Sequence, residues 1–75
     1  MKDILVTGAY GGMGRATAIA LRDMGYRVFA LDLAVGESEE NIIPIEADIT
    51  TAEGVTGAFE RVSVYRNICR DQRGT

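Results

Sequence analysis

The segment from Thr7 to Arg15 is rich in glycine and reads TGAYGGMGR. The segment follows a short β-branched apolar run and precedes residues with helical spacing, which predicts a strand, a glycine-rich turn and a helix. At such a corner the helix offers its free N–H groups and its positive dipole end, which together bind a pyrophosphate. Gly8 would allow the tight turn, Gly12 the close approach of a phosphate, and Gly14 the packing of helix on strand.

A carboxylate follows the second predicted strand. Asp32 lies 20 residues after Gly12, where an acidic residue accepts hydrogen bonds from the adenosine ribose of a bound dinucleotide. A 2′-phosphate beside that carboxylate would be repelled by on the order of a few kcal/mol at an effective dielectric constant of about 20. Leu33, the next residue, brings no compensating cation, so the pattern favours NAD over NADP. The alternative is a surface loop in which Asp32 is a solvated charge.

Hydrophobic spacing predicts the elements that position these residues. Strands are expected at 2–7, 27–31 and 41–46, and a first helix at 13–24 that ends at a left-handed Gly25. The apolar residues expected to form the packing face of that helix are Met13, Ala16, Ile19, Ala20 and Met24.

A second helix of about ten residues is expected from Thr51, with Thr50 and Glu53 as its capping box. The link at 33–41 is too short for a crossover helix, so a loop or a single helical turn is expected there. The order strand, helix, strand, link, strand, helix predicts an α/β fold. We expect a Rossmann-like half with three parallel strands in the order 3-2-1 and one or two helices. Pro44 suits an edge strand.

The charge distribution changes near residue 61. Residues 1–60 carry a net charge of −6 and residues 61–75 a net charge of +3, which suggests a dinucleotide-binding portion followed by an irregular basic tail. A strand at 62–65 is the alternative for the start of that tail. The overall charge of −3 argues against a nucleic-acid partner. The single cysteine, Cys69, and the absence of a long apolar run favour a cytoplasmic protein that does not enter a membrane.

The glycine segment resembles the Thr-Gly-x-x-x-Gly-x-Gly signature of the short-chain dehydrogenases/reductases, over about residues 2–62. Asp48 and Ile49 resemble that family's Asp-Val/Ile pair, which implies Asp48 at the adenine amino group and Ile49 near the adenine ring. Because Gly11 is also a glycine, the segment equally satisfies the signature of the extended, epimerase-like branch. Arg15-Ala16 is more similar to the reductase branch. The short link resembles members that lack the usual second helix.

The motifs and the resemblance together predict one cofactor site. Its residues are Thr7, Gly8, Tyr10, Gly11, Gly12, Met13, Gly14, Asp32, Leu33, Asp48 and Ile49. No metal ligand is predicted. The resemblance also implies a catalytic Tyr-x-x-x-Lys pair, but the one lysine is Lys2, and no such pair can be drawn on this sequence. No catalytic residue is therefore predicted.

Two interpretations follow. In the first, the chain is the NAD-binding portion of an alcohol or carbonyl oxidoreductase, cut short by a stop or frameshift near Val62 and inactive alone. In the second, it is a small non-catalytic nucleotide-binding or interaction module. In either case the first strand has an unpaired edge at residues 3–7, through which copies are expected to associate.

Overall fold

A computed structural model describes the backbone of residues 2–72 and the side chains of residues 2–68. The elements are β1 (Asp3–Thr7), α1 (Gly12–Asp23), β2 (Arg27–Asp32), β3 (Ile42–Glu46) and α2 (Ala52–Gln72). Each strand is within one residue of its predicted bounds. The second helix is about twice as long as expected.

The three strands form one parallel sheet with β2 in the middle, in the order β1-β2-β3. This agrees with the predicted order 3-2-1, and the expected α/β class is confirmed. Pro44 lies on β3, an edge strand, opposite Ala30 of β2. All three strands end on the same side of the sheet, so the loops after Thr7, Asp32 and Glu46 share one edge.

The two helices cover opposite faces of the sheet, because successive residues of β2 point to opposite sides. The cluster of buried residues on the α1 side comprises Ala9, Ala18, Val28, Ala30 and Ile42. The cluster on the α2 side comprises Phe29, Leu31, Ile45 and Ala58. Burial of these apolar side chains is the main source of stability.

The predicted packing face of α1 is wrong at most positions. Met13 and Met24 are 88% and 71% exposed, whereas Ala18 is completely buried. Ile19 packs against the core as expected, together with Leu21. Small residues contact the sheet because the helix lies close to it, so the large methionine side chains remain on the outer side.

The irregular tail expected after residue 61 is also wrong, as is the alternative strand at 62–65. Helix α2 continues through Gln72, and residues 73–75 lie outside the described part of the chain. Val62 packs on the α2-side cluster, and the Tyr65 ring meets the Phe29 ring edge-on, with centroids 5.6 Å apart. These contacts hold the second half of α2 against the sheet.

The cap of α2 is Thr51, one residue after the predicted position. Its Oγ1 accepts a hydrogen bond from the Gly54 N–H at 3.0 Å. The Thr50 hydroxyl instead donates to the carboxylate of Asp48 at 2.5 Å. The predicted capping box between Thr50 and Glu53 is therefore not formed, because Asp48 offers Thr50 a charged acceptor.

The link at 33–41 was expected to be a loop or a single helical turn. It contains no helix, so the loop is the conformation observed. Glu39 and Ile42 form an isolated antiparallel bridge at its end. Among the described residues, no helix is long and apolar enough to cross a membrane.

Candidate functional site

The loop after β1 turns sharply at Gly8, whose φ of +63° lies in the left-handed region. The Gly11 N–H donates to the Gly8 carbonyl at 3.1 Å, and the Ala9 N–H donates to the Leu31 carbonyl at the same distance. The turn is thereby tied both to itself and to the end of β2. Its geometry agrees with the tight turn predicted for Gly8.

Helix α1 begins directly against this turn. A Cβ on Gly14 would overlap the carbonyl oxygen of Gly8, so only glycine permits this approach. A Cβ on Gly12, in contrast, would meet no atom within 4 Å. Within the described residues no side chain caps the N-terminus of α1, and its first turn contains no acidic residue. The first N–H groups of the helix are therefore left for water or an anionic ligand.

Asp32 is held in one orientation at the mouth of this corner. Its Oδ2 accepts a hydrogen bond from the Tyr10 N–H at 3.0 Å, and its Oδ1 accepts one from the Leu33 N–H at 2.8 Å. Each carboxylate oxygen retains further lone pairs for a ligand hydroxyl. The loop after β1 thus positions the acid at the end of β2.

A cavity of about 170 Å³ opens beside Asp32. Its lining residues are Gly8, Leu31, Asp32, Leu33, Ala47, Asp48, Ile49 and Thr50. Five of the predicted site residues are among them, contributed by the loops after all three strands. The lining combines apolar side chains with two carboxylates, which suits a flat heterocycle joined to a polyhydroxylated sugar.

The other predicted site residues do not line this cavity. Thr7, the last residue of β1, lines a separate apolar cavity of about 200 Å³ next to α2. Gly11 and Gly12 are exposed at the start of α1, and Met13 projects into solvent.

Asp48 is organised by Thr50, a residue that the sequence analysis did not include in the site. The carboxylate accepts hydrogen bonds from the Thr50 hydroxyl at 2.5 Å and from its N–H at 2.9 Å. Both hydrogen bonds lower the pKa of Asp48 below its ordinary value, and the bond from the Thr50 hydroxyl has the larger effect. The Asp-x-Thr spacing is a local signal for this turn.

Tyr10 contributes its backbone to the site and turns its side chain away from the cavity. A Cβ on Gly36 would lie 3.1 Å from the Tyr10 ring, so the ring lies beneath the 33–41 link. The Arg15 guanidinium lies 5.7 Å from the ring centroid. Burial raises the pKa of Tyr10, the charges of Glu39 and Asp32 raise it further, and Arg15 opposes them. The phenol therefore stays neutral at physiological pH.

A model of the short chain dehydrogenase family matches residues 2–68. The chain belongs to the short-chain dehydrogenase family. The match extends past Val62, near which the resemblance in the sequence was expected to end. A comparison with curated protein sequences gives no match.

Solved structures of dehydrogenases share this fold. A 4-hydroxyisoleucine dehydrogenase complexed with NADH superposes with a TM-score of 0.77 at 19% identity, over 88% of this chain and 30% of the other. A C-terminal deletion mutant of Thermoplasma acidophilum aldohexose dehydrogenase gives 0.74 at 31% identity, over 81% of this chain and 26% of the other. The chain thus spans less than a third of the length of these dehydrogenases.

Proposed function

We propose that this chain binds NAD at the corner between β1, α1 and the end of β2. The observation that supports this most strongly is the orientation of Asp32, whose two oxygens are each fixed by a backbone N–H beside the cavity. A carboxylate held in this way can accept hydrogen bonds from both ribose hydroxyls. The free N–H groups of the first turn of α1 would then hold the pyrophosphate.

The same carboxylate favours NAD over NADP. A 2′-phosphate on the ribose would meet the negative charge of Asp32, and Leu33 provides no cation. Asp48 and Ile49 line the cavity from the loop after β3 and would hold the adenine. These assignments use residues that line the cavity.

Bound NAD supplies a hydride acceptor, and NADH a hydride donor. The residues of this chain bind and orient the dinucleotide, and the substrate would contact parts of a longer dehydrogenase that this sequence does not include. The sequence has no Tyr-x-x-x-Lys pair, so we propose that the 75-residue chain alone does not turn over an alcohol or a carbonyl compound. We place it in the cytoplasm because its single cysteine gives it no disulfide of its own.

Calorimetric titration with NAD and with AMP tests the proposal. The unaltered chain is expected to bind both saturably. Asp32→Ala and Gly12→Asp should each weaken NAD binding at least about tenfold, because one removes the ribose acceptor and the other places a carboxylate at the phosphate. Asp23→Ala, at the opposite end of α1, is the matched control and should bind normally. Equal binding by all four proteins would refute the proposed site.

We also propose that copies of the chain associate through β1. This strand pairs only with β2 among the described residues, so its outer edge presents unpaired N–H and C=O groups. Sedimentation velocity should show a concentration-dependent dimer, and a monomer at all concentrations would contradict this.

A further inference from the structure

Glu39 ties the 33–41 link to α1 through two arginines. The Arg15 Nη2 donates to Glu39 Oε2 at 2.5 Å, and the Arg22 Nη1 lies 3.7 Å from Glu39 Oε1. The side chains of Arg15 and Glu39 are each about one-third exposed, at 34% and 35%. Partial burial strengthens their interaction relative to a pair in bulk water.

This ion pair is linked through Tyr10 to the carboxylate that we assign to the ribose. Arg15 stacks over the ring of Tyr10, and the N–H of Tyr10 donates to Asp32. The ring and the backbone of Tyr10 thus contact the cation of the pair and the assigned carboxylate, respectively. A change in charge at Arg15 or Glu39 therefore changes the electrostatic potential near Asp32.

Arg15 also has unused capacity to donate hydrogen bonds. Its Nη1 is buried and makes no hydrogen bond with the described residues. Arg15 is thus a cation in contact with the residue that is bonded to Asp32, and its charge is cancelled by Glu39. With Asp32 ionised, the three groups together carry a net charge of −1.

We propose that Glu39 is a specificity-determining residue that acts through Arg15 to exclude a 2′-phosphate from the ribose site. Asp32 alone opposes the phosphate, but a free Arg15 would offset that repulsion. By neutralising Arg15, Glu39 keeps the site negative and preserves its preference for NAD. This inference rests on the proposed NAD-binding function.

Two single variants and one double variant at Arg15 and Glu39 test this proposal. Calorimetry gives the dissociation constant for NADP divided by that for NAD, and this ratio is compared among the variants. Glu39→Gln makes the three-group charge zero and should lower the ratio roughly tenfold by improving NADP binding. Arg15→Met makes the charge −2 and should raise the ratio by a similar factor. The double variant restores a charge of −1 and should return the ratio to that of the unaltered chain.

A purely structural role for the pair predicts a different pattern. If Glu39 only anchors the link, both single variants break the ion pair between Arg15 and Glu39 and shift the ratio in the same direction, or leave it unchanged. Either result would overturn the proposal, and so would a double variant that differs from the unaltered chain. Should Glu39→Gln fail to fold, Arg15→Met still tests the proposal, which requires that this variant raise the ratio. Failure of the unaltered chain to bind NAD would instead refute the proposed function itself.

Discussion

Asp3 and Arg27 lie opposite each other at the start of β1 and β2 and form two hydrogen bonds, Nε to Oδ1 at 2.8 Å and Nη2 to Oδ2 at 2.9 Å. Their side chains are mostly buried, at 17% and 13% exposed. Arg66 of α2 reaches the same carboxylate, with its Nε 2.8 Å from Oδ2. One aspartate thus joins the beginning of the sheet to the second half of α2.

Asp3→Asn is expected to lower the free energy of unfolding by about 2 kcal/mol, because it removes the negative charge that accepts two hydrogen bonds from the mostly buried Arg27. Arg66→Met removes only the more exposed pair and should cost about 0.5 kcal/mol. Urea unfolding followed by circular dichroism measures both. Equal losses of unfolding free energy for the two variants would show that the bidentate geometry of Arg27 on Asp3 adds nothing to stability.

Gly14→Ala is expected to destabilise the fold by about 2–3 kcal/mol and to weaken NAD binding, because the new methyl group would displace α1 from the Gly8 carbonyl. Gly12→Ala is the matched control. Open space surrounds that position, so its stability should change by less than about 0.5 kcal/mol. Thermal unfolding distinguishes the two, and a neutral Gly14→Ala would argue against the close approach.

Thr50→Val should raise the pKa of Asp48 toward its ordinary value of about 3.9, because the hydroxyl donor that stabilises the carboxylate is lost. The bond from the Thr50 N–H remains, so the return is partial. NMR titration of the Asp48 carboxyl carbon measures it. An unchanged pKa would mean that the Thr50 hydroxyl does not donate to Asp48.

The sign of the pH dependence follows from the lowered pKa of Asp48. A carboxyl whose pKa is lower in the folded state stabilises the fold above its unfolded pKa, and this contribution is lost as the pH falls through the folded value. Thr51→Val provides a contrast, since it removes the cap of α2 and should cost about 1 kcal/mol without moving the Asp48 pKa.

Tyr65→Ala is expected to lower the free energy of unfolding by about 1–2 kcal/mol. The substitution removes the edge contact with Phe29 and the cation–π contact with Arg27, whose guanidinium lies 5.4 Å from the Tyr65 centroid. Val64→Ala, at a neighbouring exposed position, should be nearly neutral. Native-state hydrogen exchange should show the same order, and equal effects would indicate that this part of α2 does not pack on the sheet.

The sequence sufficed to predict the sheet and the edge at which the candidate site residues lie. Strand order follows from short parallel connections, and the positions of Gly8 and Asp32 follow from a motif whose backbone geometry is demanding. Both depend on local spacing, which a single sequence displays directly.

Tertiary contacts decided the features that could not be predicted. Tyr65 and Arg66 extend α2 because Phe29, Arg27 and Asp3 are close to them in the fold, and no local pattern after residue 61 indicates this. Likewise, helical spacing indicated Met13 and Met24 on the packing face of α1 and did not single out Ala18, whereas close packing of α1 on the sheet buries the small residue.

An NMR titration of the ¹⁵N-labelled chain with NAD tests the proposed site most directly. Binding at this corner should produce saturable shifts of the amide signals of residues 8–14, 32–33 and 48–50, with the largest changes at the first turn of α1. Shifts confined to the outer face of α2, or no saturable shift at any of these amides, would contradict it.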